Sequence, residues 1–326
     1  MITVEPEFAD RSLDDSTLLT LVVPVLNETE TIRPFLSEVD SVFGSIPSVK
    51  VEILFVNDGS SDGTLRQLLD SQKQDNRITI VDLSRNFGKE AALSAGLLKA
   101  RGQVVVPIDV DLQDPPTLIV EMIEKWREGY DVVVARRVSR VSDTWAKRMS
   151  ASWFYRFHNW IAEPSIPENV GDFRLMDRVV VDSINAMPES CRFMKGLFAW
   201  AGFRTAVIDY ARPARLTGSG KFNGWRLWNF ALEGVTSFST VPLRVWTYSG
   251  MFVAFSSFLY GCIIALLVLI RGIDVPGYAS VLVAVTFLSG IQLIGIGVLG
   301  EYLGRTYLES KRRPIYIVRR VYESKG

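Results

Sequence analysis

Two stretches near the carboxyl end constrain this chain more than any other part of it. MFVAFSSFLYGCIIALLVLI (251–270) and ASVLVAVTFLSGIQLIGIGVLG (279–300) contain no charged side chain. As a helix, each is long enough to cross the ~30 Å hydrocarbon core of a bilayer. A pair of buried core helices is the alternative, but two uncharged runs of that length suit a membrane hairpin better. The short turn between them, RGIDVPGY, holds Arg271 and Asp274. The far flank from Leu308 to Gly326 carries Lys311, Arg312, Arg313, Arg319, Arg320 and Lys325 against only Glu309 and Glu323. By the positive-inside rule both termini are cytoplasmic and the turn faces away, which predicts an integral protein of two spans. The acidic amino terminus, MITVEPEFADRSLDDST, has no apolar run and is not a secretory signal.

The remainder reads as a cytoplasmic head. Strand candidates are LLTLVVPVL (18–26), VEILFV (51–56), ITIVDL (78–83), VVVPID (104–109) and DVVVA (131–135), with helical periodicity near 30–43, 64–73, 88–100 and 116–128. That alternation predicts an α/β fold, a Rossmann-like and mostly parallel sheet with helices on both faces and ligands at the carboxyl ends of its strands. Residues 1–16 are expected to be a flexible terminus, 17–224 the head, 225–246 an interfacial juxtamembrane helix, 247–303 the hairpin and 304–326 a basic cytoplasmic tail. WAKRMSASWFYRFHNWIA (145–162) and WRLWNFALEGVTSFSTVPLRVW (225–246) mix tryptophans with charges at helical spacing. Helices lying in the membrane interface are the functional reading of both, and ordinary core helices the alternative.

Composition removes several functions. A formal charge of zero provides no basic field for nucleic acid. Two cysteines, Cys191 and Cys262, exclude a disulfide framework or thiolate cluster, and the single histidine, His158, excludes a multi-histidine metal site. What remains is carboxylate chemistry at the strand ends: PVLNETE, VNDGSSDGT and DVDLQD. In the second, Ser61 or Asp62 caps a helix and the glycines turn the chain, which leaves Asp58 for a ribose or base edge. In the third, Asp114 precedes two prolines and suits a helix start. Asp109 and Asp111 have no such structural duty. Two residues apart at a strand end, they can converge on one hard cation, with Gln113 a further oxygen ligand. Magnesium or manganese bound with a diphosphate is the natural occupant, because the cation neutralises a leaving group's charge. GSGK (218–221) is not a P-loop, since Arg215 replaces its first glycine and Phe222 its Ser or Thr.

VVPVLNE, VNDGSSDGT, LSRNFGKEAALSAGL, DVDLQDPP, DVVVARR and GDFRLMDR occur in the order found in family 2 glycosyltransferases with a GT-A fold. The wording resembles the polyprenyl-phosphate branch, which holds bactoprenol glucosyltransferases of the GtrB type and dolichyl-phosphate mannose synthase, and the paired carboxy-terminal helices resemble the GtrB type. The resemblance implies that Pro24, Leu26, Glu28, Asp58, Asp109 and Val110 hold the nucleotide, and that Asp109, Asp111 and Gln113 hold magnesium or manganese. It places Arg137, Arg215 and Lys221 at the acceptor phosphate, and Asp111, Asp172 and Arg137 in catalysis. Asp172, with Arg174 as its partner, is equally well read as a structural ion pair. The branch often reads Ser-Lys-Tyr where this chain has Gly220-Lys221-Phe222.

The implied reaction is inverting transfer of a sugar, glucose from UDP-glucose, to a polyprenyl phosphate at the cytoplasmic face of a bacterial inner membrane. A phosphate monoester with a second pKa near ~6 is already largely dianionic and needs screening more than a base. Arg137, Arg140, Lys147, Arg148, Arg215 and Lys221 are the cations available for it. Mannose from GDP-mannose, or a membrane-anchored nucleotide-sugar sensor without turnover, are the rival readings, and a homo-oligomer stays open. A processive polysaccharide synthase would carry Q-x-x-R-W, which this chain lacks.

Overall fold

The computed structural model describes residues 17–44, 46, 49–139, 170–187, 189, 192, 194–211, 241–271 and 277–323. Strands β1 (Leu18–Val25), β2 (Lys50–Asn57), β3 (Ile78–Leu83) and β4 (Val104–Pro107) alternate with helices α1 (Ile32–Phe43), α2 (Thr64–Gln72), α3 (Lys89–Lys99) and α4 (Leu118–Arg127). After them come β5 (Val132–Ser139), β6 (Val170–Asp177), α5 (Arg178–Asn185), α6 (Met194–Trp200) and β7 (Thr205–Ala211). Two long helices, α7 (Val241–Arg271) and α8 (Tyr278–Ser310), precede a last strand, β8 (Val318–Tyr322). The interfacial candidates at 145–162 and 225–240 lie outside the described residues, as do His158, Cys191, Arg215 and Lys221; residues 241–246 open α7.

The eight strands form one sheet in the order β7-β5-β6-β4-β1-β2-β3-β8. The pairs β1–β2, β1–β4, β2–β3 and β5–β7 are parallel; β4–β6, β5–β6 and β3–β8 are antiparallel. Central strands are apolar on both faces because both are covered. Leu21 and Val23 of β1 pack with Phe35, Ile119 and Met122 on one side, while Val22 packs with Ala92 and Ala95 on the other. From β1 the sheet grows to β2 on one flank and β4 on the other, so a crevice opens where those carboxyl ends part.

Three features depart from the sequence-based expectation. β4 ends two residues early: Ile108 N still reaches Val22 O at 3.0 Å, but Asp109 leaves the ladder. GDFRLMDR is an antiparallel strand, β6, inserted between β4 and β5. Part of the expected basic tail, Val318–Tyr322, is the edge strand β8 on β3. An edge strand of mixed basic and apolar residues lacks the long buried run that marks a central strand, which is why 304–326 reads as a tail.

Gly96 sets the height of α3 over the sheet. A Cβ there would overlap Val22 Cγ1 and lie 3.2 Å from Val56 Cγ2. Alanine gains roughly 1 kcal/mol of helix propensity over glycine, but overpacking a dense interior costs about 1–3 kcal/mol. Gly96→Ala should therefore lower the thermal unfolding midpoint, whereas Leu98→Ala at an exposed position of the same helix should leave it nearly unchanged.

Candidate active site at the carboxyl ends of the strands

Register brings the acidic residues together. On the antiparallel pair β4–β6, Val104 faces Asp177 and Val105 faces Met176. Because β6 runs antiparallel to β4, its early residue Asp172 lies toward the end of β4 beyond which Asp109 stands. Between them stands Lys89, the first residue of α3, with Nζ 2.7 Å from Asp109 Oδ1 and 3.0 Å from Asp172 Oδ2. Pro24, Lys89, Pro107, Asp109, Asp114 and Asp172 line one small pocket. Lys89 was missed at the sequence level, although it stands inside the quoted SRNFGKEAA; its signal was a lysine at a helix start, where a cation opposes the helix dipole.

Burial would lower the Lys89 ammonium, but Asp109 and Asp172 hold it well above the ordinary lysine range. Burial likewise opposes ionisation of Asp172, yet Lys89, Lys195 and Arg174 keep it below the usual carboxylate value. Asp109 is pushed up by burial, with Asp172 and Asp111 as like charges that Lys89 does not fully offset. Two carboxylates thus flank one ammonium group, with Asp111 a further like charge on Asp109, and the cluster is short of positive charge. Asp172 Oδ1 and the Gln113 amide nitrogen are buried without a hydrogen-bond partner. Asp111 is half-exposed, its Oδ1 accepting from Gln113 N at 3.2 Å, and Leu112 takes a left-handed φ of 56°. Among the described residues no group of three metal-ligating side chains converges on one point. An all-oxygen pair, Asp109 and Asp111, beside uncompensated negative charge fits a hard cation whose remaining ligands come from a substrate diphosphate and water.

Along the crevice the loops after β1 and β2 are laced together. Asn27, at φ 56°, accepts from Ser61 N at 2.9 Å, its own N donates to Ser60 Oγ at 3.0 Å, and Glu28 N donates to Thr64 Oγ1 at 2.9 Å. Gly63, not Ser61 or Asp62, stands at the N-cap of α2, and Asp62 one residue earlier accepts from Thr64 N at 3.0 Å. Asp58 is buried, and its two oxygens accept from Phe87 N (2.7 Å) and Gly88 N (2.9 Å), so it ties down the loop that leads to Lys89. Leu26 is exposed beside this loop, and Val110 is packed in the core.

Arg137 approaches from β5. Its Nε donates to Tyr210 Oη at 3.0 Å and its Nη2 lies 3.4 Å from Asp114 Oδ1, while Tyr210 Oη donates to the same Asp114 oxygen. Asp114 is therefore no helix cap; Thr117 stands before α4, and Asp114 instead anchors this cluster. Gly171 leaves room for the guanidinium, since a Cβ there would lie 3.1 Å from Arg137 Nη2. Arg174 does not bond to Asp172. It is buried, stacks 3.9 Å from the Phe198 ring centroid and donates to Gly171 O at 2.9 Å; burial lowers it to about 10. Sequence reasoning missed Tyr210 too, because only the β5–β7 register, Arg137 opposite Tyr210, brings it there.

Residues 20–184 match the family model described as glycosyl transferase family 2. The chain belongs to that family. It is 53% identical to a prophage bactoprenol glucosyl transferase homolog of Escherichia coli (strain K12) over 93% of this chain and 99% of that one. With the bactoprenol glucosyl transferase of Shigella phage SfV it shares 54% identity over 92% and 98% of the two chains. The solved structure of glucosyl-3-phosphoglycerate synthase from Mycobacterium tuberculosis is 19% identical over 72% of this chain and 82% of that one, with a TM-score of 0.47, too slight a likeness to build on.

Next to the pocket that holds Lys89 lies Glu90. Its Oε2 accepts from Met194 N at 3.1 Å, and burial, reinforced by Asp172, pushes its pKa from 4.5 up to about 7. A carboxyl raised in the folded state binds its proton more tightly there than in the unfolded chain. Stability therefore falls as pH rises from about 4.5 to about 7 and stays reduced above that, by roughly 3 kcal/mol for this one group. Glu90→Gln keeps an acceptor for Met194 N and removes the charge. Its unfolding midpoint should exceed that of the parent at pH 8 and lose the advantage at pH 4.5.

Proposed function

We propose that this glycosyltransferase moves a glucosyl group from UDP-glucose to the phosphate of a polyprenyl carrier, with inversion at the anomeric carbon. The observation that carries the reading is the pairing of Asp109 and Asp172 across Lys89 at the β1–β4 crevice, with Asp111 two residues beyond Asp109, a place suited to a diphosphate and its counter-cation. Lipid phosphate and glucose come from relatives named bactoprenol glucosyl transferase at 52–54% identity.

Asp109 and Asp111, with the Gln113 carboxamide oxygen, would hold magnesium or manganese, which when bound supplies charge to the diphosphate leaving group. Pro24, Leu26, Glu28, Asp58 and Val110 lie along the crevice on the nucleotide side. Lys89 adds a fixed ammonium group at the site of bond cleavage. Arg137, steadied by Tyr210 and Asp114, screens the acceptor phosphate, and Arg215 and Lys221 are proposed to join it. An oxygen of the acceptor phosphate attacks the anomeric carbon as the bond to the diphosphate breaks. Because that phosphate is largely dianionic at neutral pH, proximity and charge screening do the work that a strong base would do elsewhere. Asp172, kept ionised, stabilises positive charge developing on the sugar.

The membrane anchor belongs to the same proposal. Among the described residues one helical stretch, Phe287–Ser310, is long and apolar enough to cross a bilayer, with a mean hydropathy of 1.4. We infer a second span in α7, where Phe252 is 73% exposed and Leu269 83% exposed. Exposure of so many large apolar side chains on two adjacent helices suits lipid, not water. Chain connectivity supports the topology at one end: α8 ends at Ser310 and the chain enters the sheet at Val318, so that end of α8 lies toward the head.

Labelled UDP-glucose incubated with the full chain and polyprenyl phosphate should yield label extractable into organic solvent, and GDP-mannose should yield far less. Asp111→Asn should cut that product by about tenfold or more, and excess chelator should do the same. Product formation undiminished by chelator would remove the metal from the reading, and absence of any lipid-linked product would remove the acceptor.

A further inference from the structure

The strand that closes the sheet comes from beyond the helical hairpin, and one of its side chains reaches a buried charge beside the crevice. β8 runs antiparallel to β3, with Ile80 facing Tyr322, Val81 facing Val321 and Asp82 facing Arg320; the register then skips, so that Leu83 faces Val318. Arg319 is the extra residue of this bulge, and a bulge re-aims the side chain it carries. Its guanidinium donates to Ser84 O at 2.7 Å and stands 3.6 Å from Asp82 Oδ2. Asp82 is 1% exposed, and that Oδ2 has no hydrogen bond of its own. Its other oxygen accepts from Asn57 Nδ2 at 2.7 Å.

Both contacts lead to the site. Asn57 Oδ1 accepts from Ser60 N at 3.3 Å, and Ser60 Oγ accepts from Asn27 N at 3.0 Å, which connects Arg319 with the loops after β2 and β1. Ser84 begins the loop whose Phe87 and Gly88 amides bind Asp58 and whose next residue is Lys89. Ser84 N in turn donates to Ile317 O at 2.9 Å, so the loop is gripped from both sides by the returning chain. The two loops also touch directly, since a Cβ on Gly59 would overlap the Arg85 and Asn86 backbone.

We propose that Arg319 is a positioning residue for the nucleotide side of the site: it compensates Asp82 and holds the 84–88 loop, so that the strand returning from the hairpin completes the donor pocket. The assignment of that pocket to a nucleotide sugar rests on the function proposed above; the effect on the loop does not. Arg319 is itself exposed and Asp82 is buried, so removing the arginine leaves a buried carboxylate uncompensated, and the structure responds to that stranded charge more than to the lost contact.

The test uses the full chain in detergent or vesicles and three variants: Arg319→Ala, Arg319→Lys, and Arg319→Ala combined with Asp82→Asn. The first readout, amide hydrogen exchange over residues 84–89, needs no ligand. Arg319→Ala should speed exchange there about tenfold, and Arg319→Lys by less. The double variant should return it close to the parent rate, because Asp82→Asn keeps an oxygen to accept from Asn57 and removes the stranded charge. The second readout is steady-state transfer from UDP-glucose to polyprenyl phosphate. Arg319→Ala should raise the donor KM about fivefold and leave the acceptor KM and kcat within about twofold. Unchanged exchange in Arg319→Ala, or no recovery in the double variant, overturns the positioning role. So does faster exchange with an unaltered donor KM, or an equal rise in both KM values. If the parent itself makes no lipid-linked product, the proposed reaction falls, and the exchange data still decide whether Arg319 holds the loop.

Discussion

Lys89 Nζ lies between Asp109 and Asp172, and much of the head is arranged to keep it there. A lysine in the first turn of a helix opposes the macrodipole, a local loss of some tenths of a kcal/mol. The loss is tolerated because α3 delivers the ammonium group to two carboxylates, 2.7 Å from Asp109 and 3.0 Å from Asp172. Gly96 lets α3 sit close on β1 and β2, Gly88 at φ 98° turns the chain into the helix, and β6 runs antiparallel to β4 so that Asp172 lies toward the same strand end as Asp109. A locally unfavourable residue retained at a ligand crevice marks a site where chemistry has outweighed stability.

The alternating strands and helices up to residue 128 were legible because apolar runs such as VEILFV and ITIVDL are bounded by turn residues and covered on both faces. Asp109, Asp172 and Arg137 were legible as a motif string, yet their meeting was not. It depends on two antiparallel registers and one parallel register that no local pattern encodes. Asp114 looked like a cap because Asp-Pro-Pro commonly is one; its carboxylate instead faces Tyr210, ninety-six residues along the chain. The same distance in sequence hid β8, whose five residues pair with a strand laid down far earlier.

The two long helices complement the sheet in a simple physical way. At 1.5 Å per residue, the 31 residues of α7 and 33 of α8 each extend to roughly 45–50 Å, more than a hydrocarbon core requires. Gly295 admits the indole of Trp246, so that the first turns of α7 touch the middle of α8. A small residue facing a large aromatic one is a common way for apolar helices to approach closely.

Because β8 follows the hairpin, synthesis and completion of the sheet cannot coincide. After Ser84 leaves the ribosome, 235 further residues must be made before Arg319 can reach it. During that interval the outer edge of β3 offers unpaired amides and carbonyls, a surface on which other strands can grow. Both long helices are made within the same interval, so the edge of β3 stays open until the whole of residues 241–310 has been synthesised.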